Sequence, residues 1–325
     1  MLVYILRRVL LGLSVLLAAI VATFCIFFLG PSDPAGALCG RQCTPDRIVQ
    51  IEKDLGLNKP KTEQFVTYTK GLVAGNDLGG KKCDAPCLGW SYVQNRPVTD
   101  MVKQAFPVTV SIVIGGIVVY STLGILFGMI AARFRGKPLD RVIVGVSQFV
   151  TSIPYFVLAQ LFFLYAMVYY GLIPRAKYTS ILDNPFTWFT GLLGIWLFYG
   201  TVLSANYVRY VRASMIDVQN QDYIRTARSK GLGERKIAIS HALRAGIAPF
   251  LTLLGLAVAA ELGGAIFTER IFGLQGMGNL ALTSFDTSDL PVIAGVVVVG
   301  AVIIVSLNLL VDLLYGLVDP RVKLS

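Results

Sequence analysis

The stretch AFPVTVSIVIGGIVVYSTLGILFGMIAA, Ala105–Ala132, holds no charged side chain between Lys103 and Arg133. A helix needs about 20 predominantly apolar residues to cross a hydrocarbon core roughly 30 Å thick, and this uncharged stretch is 28 residues long. Lipid gives backbone N–H and C=O groups no partners, so only a helix or a closed barrel can span it. Barrel-type alternation is absent, which leaves the helix. Five further stretches have the same character: Val9–Gly30, Val142–Pro174, Asn184–Val208, Ala245–Ala260 and Leu290–Val311. Ala245–Ala260 is interrupted by Glu261 and then stays apolar through Phe267, so it counts as a span with one embedded acid. The expectation is an all-α membrane protein of about six transmembrane helices.

Composition agrees. Hydrophobic residues are 55% of the 325 and charged residues 15%, against about 25% charged in soluble domains. The net charge of +10 does not point to nucleic acid, because no basic stripe interleaves with aromatics as a single-strand binder needs. It fits basic loops on one membrane face. That face carries Arg7, Arg8, Arg133, Arg135, Lys137 and Arg141, the cluster from Arg209 to Arg244, and Arg321 and Lys323. The two short loops opposite hold only Arg175, Lys177 and Arg270. Both termini are therefore expected in the cytoplasm. The first apolar stretch outruns the 7–15 residues of an export signal and reads as an uncleaved anchor.

The chain divides into an N-terminal helix (1–30), an extracytoplasmic segment (31–104), a five-helix core (105–317) with a basic loop at 209–244, and a cytoplasmic tail (318–325). In the exported segment, Thr44-Pro45-Asp46 starts a helix with Pro at its first position. Ile48, Ile51 and Leu55 recur at helical spacing, and Gly56 stops it. A second short helix is expected from about Thr62 to Leu72. Cys39, Cys43, Cys83 and Cys87 form two Cys-x3-Cys pairs. An oxidising compartment favours disulfides, with three connectivities open; a four-cysteine zinc site is the alternative. Cys25 lies inside the first span and reads as packing.

Catalytic signals are thin. The one histidine, His241, sits in the basic loop and reads as a surface or interface residue. Gly75–Lys82 nearly matches a phosphate-binding loop, but Lys82 replaces the Ser or Thr that holds magnesium, and no hydrophobic strand precedes it. It reads as a turn. No catalytic residue, metal site or cofactor is expected in this chain. Gly124 and Gly128 allow close helix approach, and Pro154 can kink the third span. Glu261 and Asn308 are candidate pathway residues, because intramembrane acids usually face a cavity or a partner.

The loop 209–244 carries the functional signal. It contains Asp222-Tyr223-Ile224-Arg225-Thr226-Ala227-Arg228-Ser229-Lys230-Gly231-Leu232-Gly233. Asn220 can cap a short helix and Asp222 suits its positive end. Tyr223 and Ala227 share a face, and Gly231 can take the left-handed conformation that ends a helix. A second amphipathic helix follows from about Glu234.

This loop resembles the signature cytoplasmic loop of bacterial ABC-importer permeases. The family's Glu-Ala-Ala falls on Arg225, Thr226 and Ala227, and its glycine on Gly231; Arg225, Thr226 and Arg244 depart from the general pattern. The variant, closed by His241-Ala242-Leu243-Arg244, is similar to the dipeptide, oligopeptide and nickel branch. Tyr4–Arg8, Arg96-Pro97-Val98-Thr99-Asp100, Glu269-Arg270-Ile271-Phe272, Gly276-Met277-Gly278, Asp289-Leu290-Pro291-Val292 and Asn308–Asp312 resemble its B-type subunit, most of all that of oligopeptide permeases. The resemblance implies a type I permease architecture and alternating access to peptides across the plasma (inner) membrane. It also implies a C-type permease as heterodimer partner, ABC ATPase subunits that do the ATP chemistry, and an extracytoplasmic binding protein. A nickel importer of the same architecture and a passive channel are the alternatives. On this reading Asp222, Tyr223, Ala227, Arg228, Lys230, Gly231 and Leu232 couple to the ATPase, with Ala227 at the centre of the contact face. The stretch around Lys81–Gly89 looks like an insertion relative to the family. Two disulfides are expected to pin it to the start of the exported segment, closing a loop of roughly 40 residues.

Overall fold

The computed structural model describes residues 2–26, 34–39, 44–78, 81–262 and 265–318. The elements in chain order are α1 (Leu2–Phe24), α2 (Pro34–Cys39), α3 (Pro45–Leu55), α4 (Lys61–Ala74), β1 (Asn76–Leu78), β2 (Lys81–Cys83), β3 (Trp90–Ser91), β4 (Arg96–Pro97) and α5 (Val98–Arg133). Then come α6 (Pro138–Ser152), α7 (Tyr155–Phe162), α8 (Pro185–Gln219), α9 (Asp222–Ser229), α10 (Glu234–Lys236), α11 (Arg244–Gly246) and α12 (Ala248–Leu262). The last three are α13 (Ile266–Phe272), α14 (Met277–Asp286) and α15 (Leu290–Val318). Wider π-type turns extend α7 through Phe163–Tyr169 and join α10 to α11 through Ile237–Leu243.

Among the described residues, four helices are long and apolar enough to cross a membrane: Leu6–Phe24 of α1, α5, α8, and Leu290–Leu310 of α15. The apolar stretch Val142–Pro174 is not one straight helix, since α6 and α7 meet at 93°. Proline has no N–H and forces the preceding residue out of the helical region, and Ile153 is extended at φ −95°, ψ 129°. The span around Ala245–Ala260 is the short apolar helix α12. Helix α8 runs eleven residues beyond Val208, because the arginines that leave the apolar stretch do not interrupt helical hydrogen bonding.

The chain forms two compact units: residues 1–109, 259–270 and 275–325, and residues 110–258 and 271–274. In the first, α1 packs along α15, so closely that a Cβ on Gly12 would meet Val305 at 2.9 Å. Val98, Met101, Val102 and Ala105 at the start of α5 share a core with Met277, Val292 and Val296. A smaller core gathers Ile51 and Tyr92 with Ala35 and Cys39. Thr44 precedes Pro45 at the head of α3. Gly56 ends it at φ 61°, with the Leu57 amide donating to Glu52 O and the Gly56 amide to Lys53 O. That pair of bonds satisfies two orphan carbonyls at once. The near-match to a phosphate-binding loop forms an antiparallel hairpin, β1 with β2.

The cysteines correct the expected long-range staple. Cys83 bonds Cys87, four residues away, so this bridge closes only a local loop. Cys39 is also disulfide-bonded, and Cys43 lies outside the described residues. A zinc site using all four thiolates is thereby excluded.

In the second unit, α5 and α8 approach through glycine. A Cβ on Gly116 would fall 2.4 Å from the Tyr199 ring, and one on Gly128 2.6 Å from Val211. Tyr120 and Tyr207 stack at 5.1 Å between ring centroids, and Phe250 meets Tyr207 edge-on. The Arg212 guanidinium grips Asp140 with two bonds, 2.6 and 2.8 Å, and ties α8 to the first turn of α6.

Candidate functional site

The basic loop is built as a short helix on a brace. Helix α8 ends at Asn220, so the loop begins there rather than at 209, and Asn220 closes α8 instead of capping α9. The N-cap of α9 is Gln221, whose side chain makes no capping bond. Asp222 stands in the first turn and Arg228 in the last, each the sign that the helix dipole favours at its end.

Gly231 adopts φ 74°. The Leu232 amide donates to Ala227 O (3.3 Å) and the Gly231 amide to Arg228 O (2.9 Å). This is the same stop that Gly56 provides for α3. Leu232 packs into the core beside Ala227. The chain then reverses into residues 234–246, whose Ile237 and Ala242 are buried against Ile224, Ala227 and Met215. Ser214 Oγ of α8 donates to Gly246 O at 2.6 Å and fixes the far end. Arg228 Nε donates to Glu234 Oε1 at 2.9 Å across the reversal. That hydrogen bond holds the Glu234 carboxyl below the usual glutamate range.

This geometry revises the contact face. Ile224 (0% exposed) and Ala227 (8%) turn into the chain's own core, whereas Tyr223 is 46% exposed. Ala227 is therefore an internal packing residue. The outward surface of α9 and its C-cap consists of Asp222, Tyr223, Arg225, Thr226, Arg228, Ser229 and Lys230. Arg228 spends its guanidinium on Glu234, and Lys230 stands exposed. Glu261 and Asn308 lie on α12 and α15 of the first unit, both half-buried. His241 is half-buried in the brace.

A second polar centre gathers residues that the sequence shows only as separate motifs. Glu269 on α13 is fully buried. It accepts from Thr109 Oγ1 (2.6 Å) and from the Asn279 amide (2.8 Å), while Thr109 Oγ1 accepts from the Met277 amide (2.8 Å). The carboxylate thus satisfies the head of α14, where backbone donors and the dipole both favour an anion. Gly276 leaves it room, since a Cβ there would fall 2.3 Å from the Glu269 carboxyl carbon. Nearby in the same unit, buried Ser91 donates to buried Asp289 at the head of α15. The available signal was the pair of glycines around Met277, which marks a crowded helix start. Among the described residues no three His, Cys, Asp or Glu side chains converge to hold a metal.

Residues 124–324 match the family described as binding-protein-dependent transport system inner membrane component, and residues 1–113 match the N-terminal region of such membrane components. The chain belongs to this family. It is 33% identical over 347 residues to the dipeptide transport system permease DppB of Escherichia coli, covering 99% of both chains. It is 32% identical over 319 residues to a putative peptide transport system permease of Brucella abortus, covering 98% of both. Among solved structures, a chain of the inward-facing MetNI methionine ABC transporter superposes with TM-score 0.56 at 14% identity, covering 68% of this chain and 97% of that one. That likeness establishes the fold, a type I importer permease. Family membership makes the chain a non-enzymatic inner-membrane permease, with ATP hydrolysis on partner ATPases and with a second permease and a substrate-binding protein as further partners.

Proposed function

We propose that this chain is the B-type permease of a peptide importer, paired with a C-type permease, and that α9 is its coupling helix to the ATPase. The observation that carries the coupling role is the braced helix itself. Its inner face is buried in the chain's own core and its outer face is exposed and polar. A topology-setting loop needs positive charge alone, whereas this one has a glycine stop, a cross-turn ion pair and a second helix behind it. A rigid two-helix unit transmits displacement, which alternating access requires. The positive charges put α9 and both termini on the cytoplasmic side. The printed names of the relatives favour peptides over nickel as substrate.

Reconstitution with the neighbouring permease, ATPase and binding protein in liposomes tests the reading. Peptide uptake with ATP hydrolysis stimulated by the binding protein is expected. Nickel uptake without peptide uptake overturns the substrate; uptake without any ATPase overturns the class.

A further inference from the structure

The turn from α5 into α6 carries four cations, Arg133, Arg135, Lys137 and Arg141, and all four are exposed. Among the described residues none of them forms a salt bridge. The one acid in the turn, Asp140, is already spent. It is buried and accepts both bonds of the Arg212 guanidinium and one from the Gly136 amide at 2.9 Å. The Arg135 charge acts on Asp140, and the Arg133 charge on Glu234, without a bond to either; Glu234 is itself bonded to Arg228. The positive charge of the turn is therefore left over. The backbone beneath it is fixed, since the Lys137 amide donates to Phe134 O at 2.9 Å. The Lys137 ammonium stands 5.5 Å from the centre of the Phe134 ring.

Helix α6 has two faces. One packs on α8, where Asp140 takes Arg212 and Gln148 takes Arg209. The other carries Leu139, Val142, Val146 and Phe149, at helical spacing and 45–68% exposed. From Leu139 to Phe149 that stripe runs about 15 Å at 1.5 Å per residue. This is half of a hydrocarbon core roughly 30 Å thick, the reach of one leaflet's acyl chain. Because α5 is uncharged from Ala105 to Ala132, Arg133 begins where hydrocarbon gives way to headgroups. Basic clusters just outside a spanning helix attract anionic lipids. A topology signal needs the charge alone; here the surplus charge caps an exposed apolar stripe of acyl-chain length.

We propose that the α5–α6 turn and the outer face of α6 bind an anionic phospholipid, its phosphate among Arg133, Arg135, Lys137 and Arg141 and an acyl chain along Leu139, Val142, Val146 and Phe149. The bonds from Asp140 and Gln148 to α8 place this lipid one helix away from the segment that leads into α9. The proposal is independent of the peptide substrate and of the role of α9.

The test places the assembled complex in phosphatidylcholine nanodiscs doped with a lipid bearing a photoreactive acyl chain. The probe is phosphatidylglycerol in one sample and phosphatidylcholine in the other, and labelled peptides are mapped by mass spectrometry. Labelling of residues 139–149 is expected to favour phosphatidylglycerol by about tenfold or more, since each cation adds to the attraction. Combining Arg135→Gln, Lys137→Gln and Arg141→Gln should abolish the preference. Arg175→Gln with Lys177→Gln, in the other basic loop, should leave it. Soluble glycerol 3-phosphate should not compete, because it lacks the chains. Equal labelling by the two lipids overturns the proposal, and this comparison on the unmodified complex stands even if the triple variant does not assemble. A preference that survives the triple change, or that the Arg175/Lys177 variant loses equally, overturns it too. So does full displacement by glycerol 3-phosphate.

Discussion

Two helix starts in this chain are secured in opposite ways. Helix α9 is held from one side by apolar burial, through Ile224 and Ala227, and its polar ends face outward. Helix α14 is held at its head by a buried carboxylate, Glu269, with Thr109 from a distant helix completing the centre. The first arrangement leaves a surface free for a partner. The second buries its anchoring groups and fixes one geometry, because a buried carboxylate tolerates little displacement of its donors. A coupling element needs the former, and a scaffold that must hold position while another part moves needs the latter.

The sharpest way to break this contrast is at Glu269. Glu269→Ala orphans the Asn279 amide and the Thr109 hydroxyl in a buried site, each worth about 1–3 kcal/mol, so a loss of roughly 4 kcal/mol is expected. Thermal unfolding of the purified complex should show it as poor assembly or a strongly lowered midpoint. Ile224→Ala comes next, at roughly 3 kcal/mol for a cavity under α9. Here the midpoint should fall and ATP hydrolysis should uncouple from uptake. Gly231→Val places a β-branched residue at φ 74°, costing about 1–2 kcal/mol. Since the reversal holds the brace in register, uptake should fall more than stability does.

The smallest effects lie on the outer surface. Tyr223→Ala should leave stability within about 0.5 kcal/mol yet lower stimulated ATP hydrolysis. The Arg228–Glu234 pair adds a weak pH dependence. The folded value of Glu234 is depressed from 4.5, so its contribution is fully present above that value and is lost as the pH falls through the folded one. Because the pair is exposed, the change is within about 0.5 kcal/mol. Glu234→Gln should flatten the acid side of an unfolding-against-pH curve by that amount.

What could be read beforehand follows the same division. The stop glycines Gly56 and Gly231 were legible, because the left-handed conformation and its two amide bonds involve residues within one turn. The Pro154 break was legible as a site. Its 93° angle was not, since the direction of α7 and its continuation is set by Phe162 stacking on Phe198 and by Phe163 against Phe272. The length of α8 is not legible from its apolar stretch, because Arg209 and Arg212 end that stretch but not the helix: Arg212 finds Asp140 and Arg209 finds Gln148 on α6. The inward turn of Ala227 was hidden, for an alanine suits a packed core and a docking face equally well. Glu269 stands out in the sequence only as part of a family motif; its buried role is not legible there, because its partner Thr109 lies 160 positions away. The Cys83–Cys87 pairing joins the end of β2 to a residue four positions on, one of the three connectivities that the spacing leaves open.

As a coupling helix, α9 would present its outer face, not Ala227, to the ATPase. Site-directed cross-linking in the assembled complex tests this most directly, with single cysteines placed by Tyr223→Cys, Ser229→Cys and Ala227→Cys against a cysteine in the ATPase groove. Efficient cross-links from positions 223 and 229, altered by ATP, with little reaction at 227, are predicted. A cross-link at 227 as strong as at the other two, or none from 223 and 229, would contradict it.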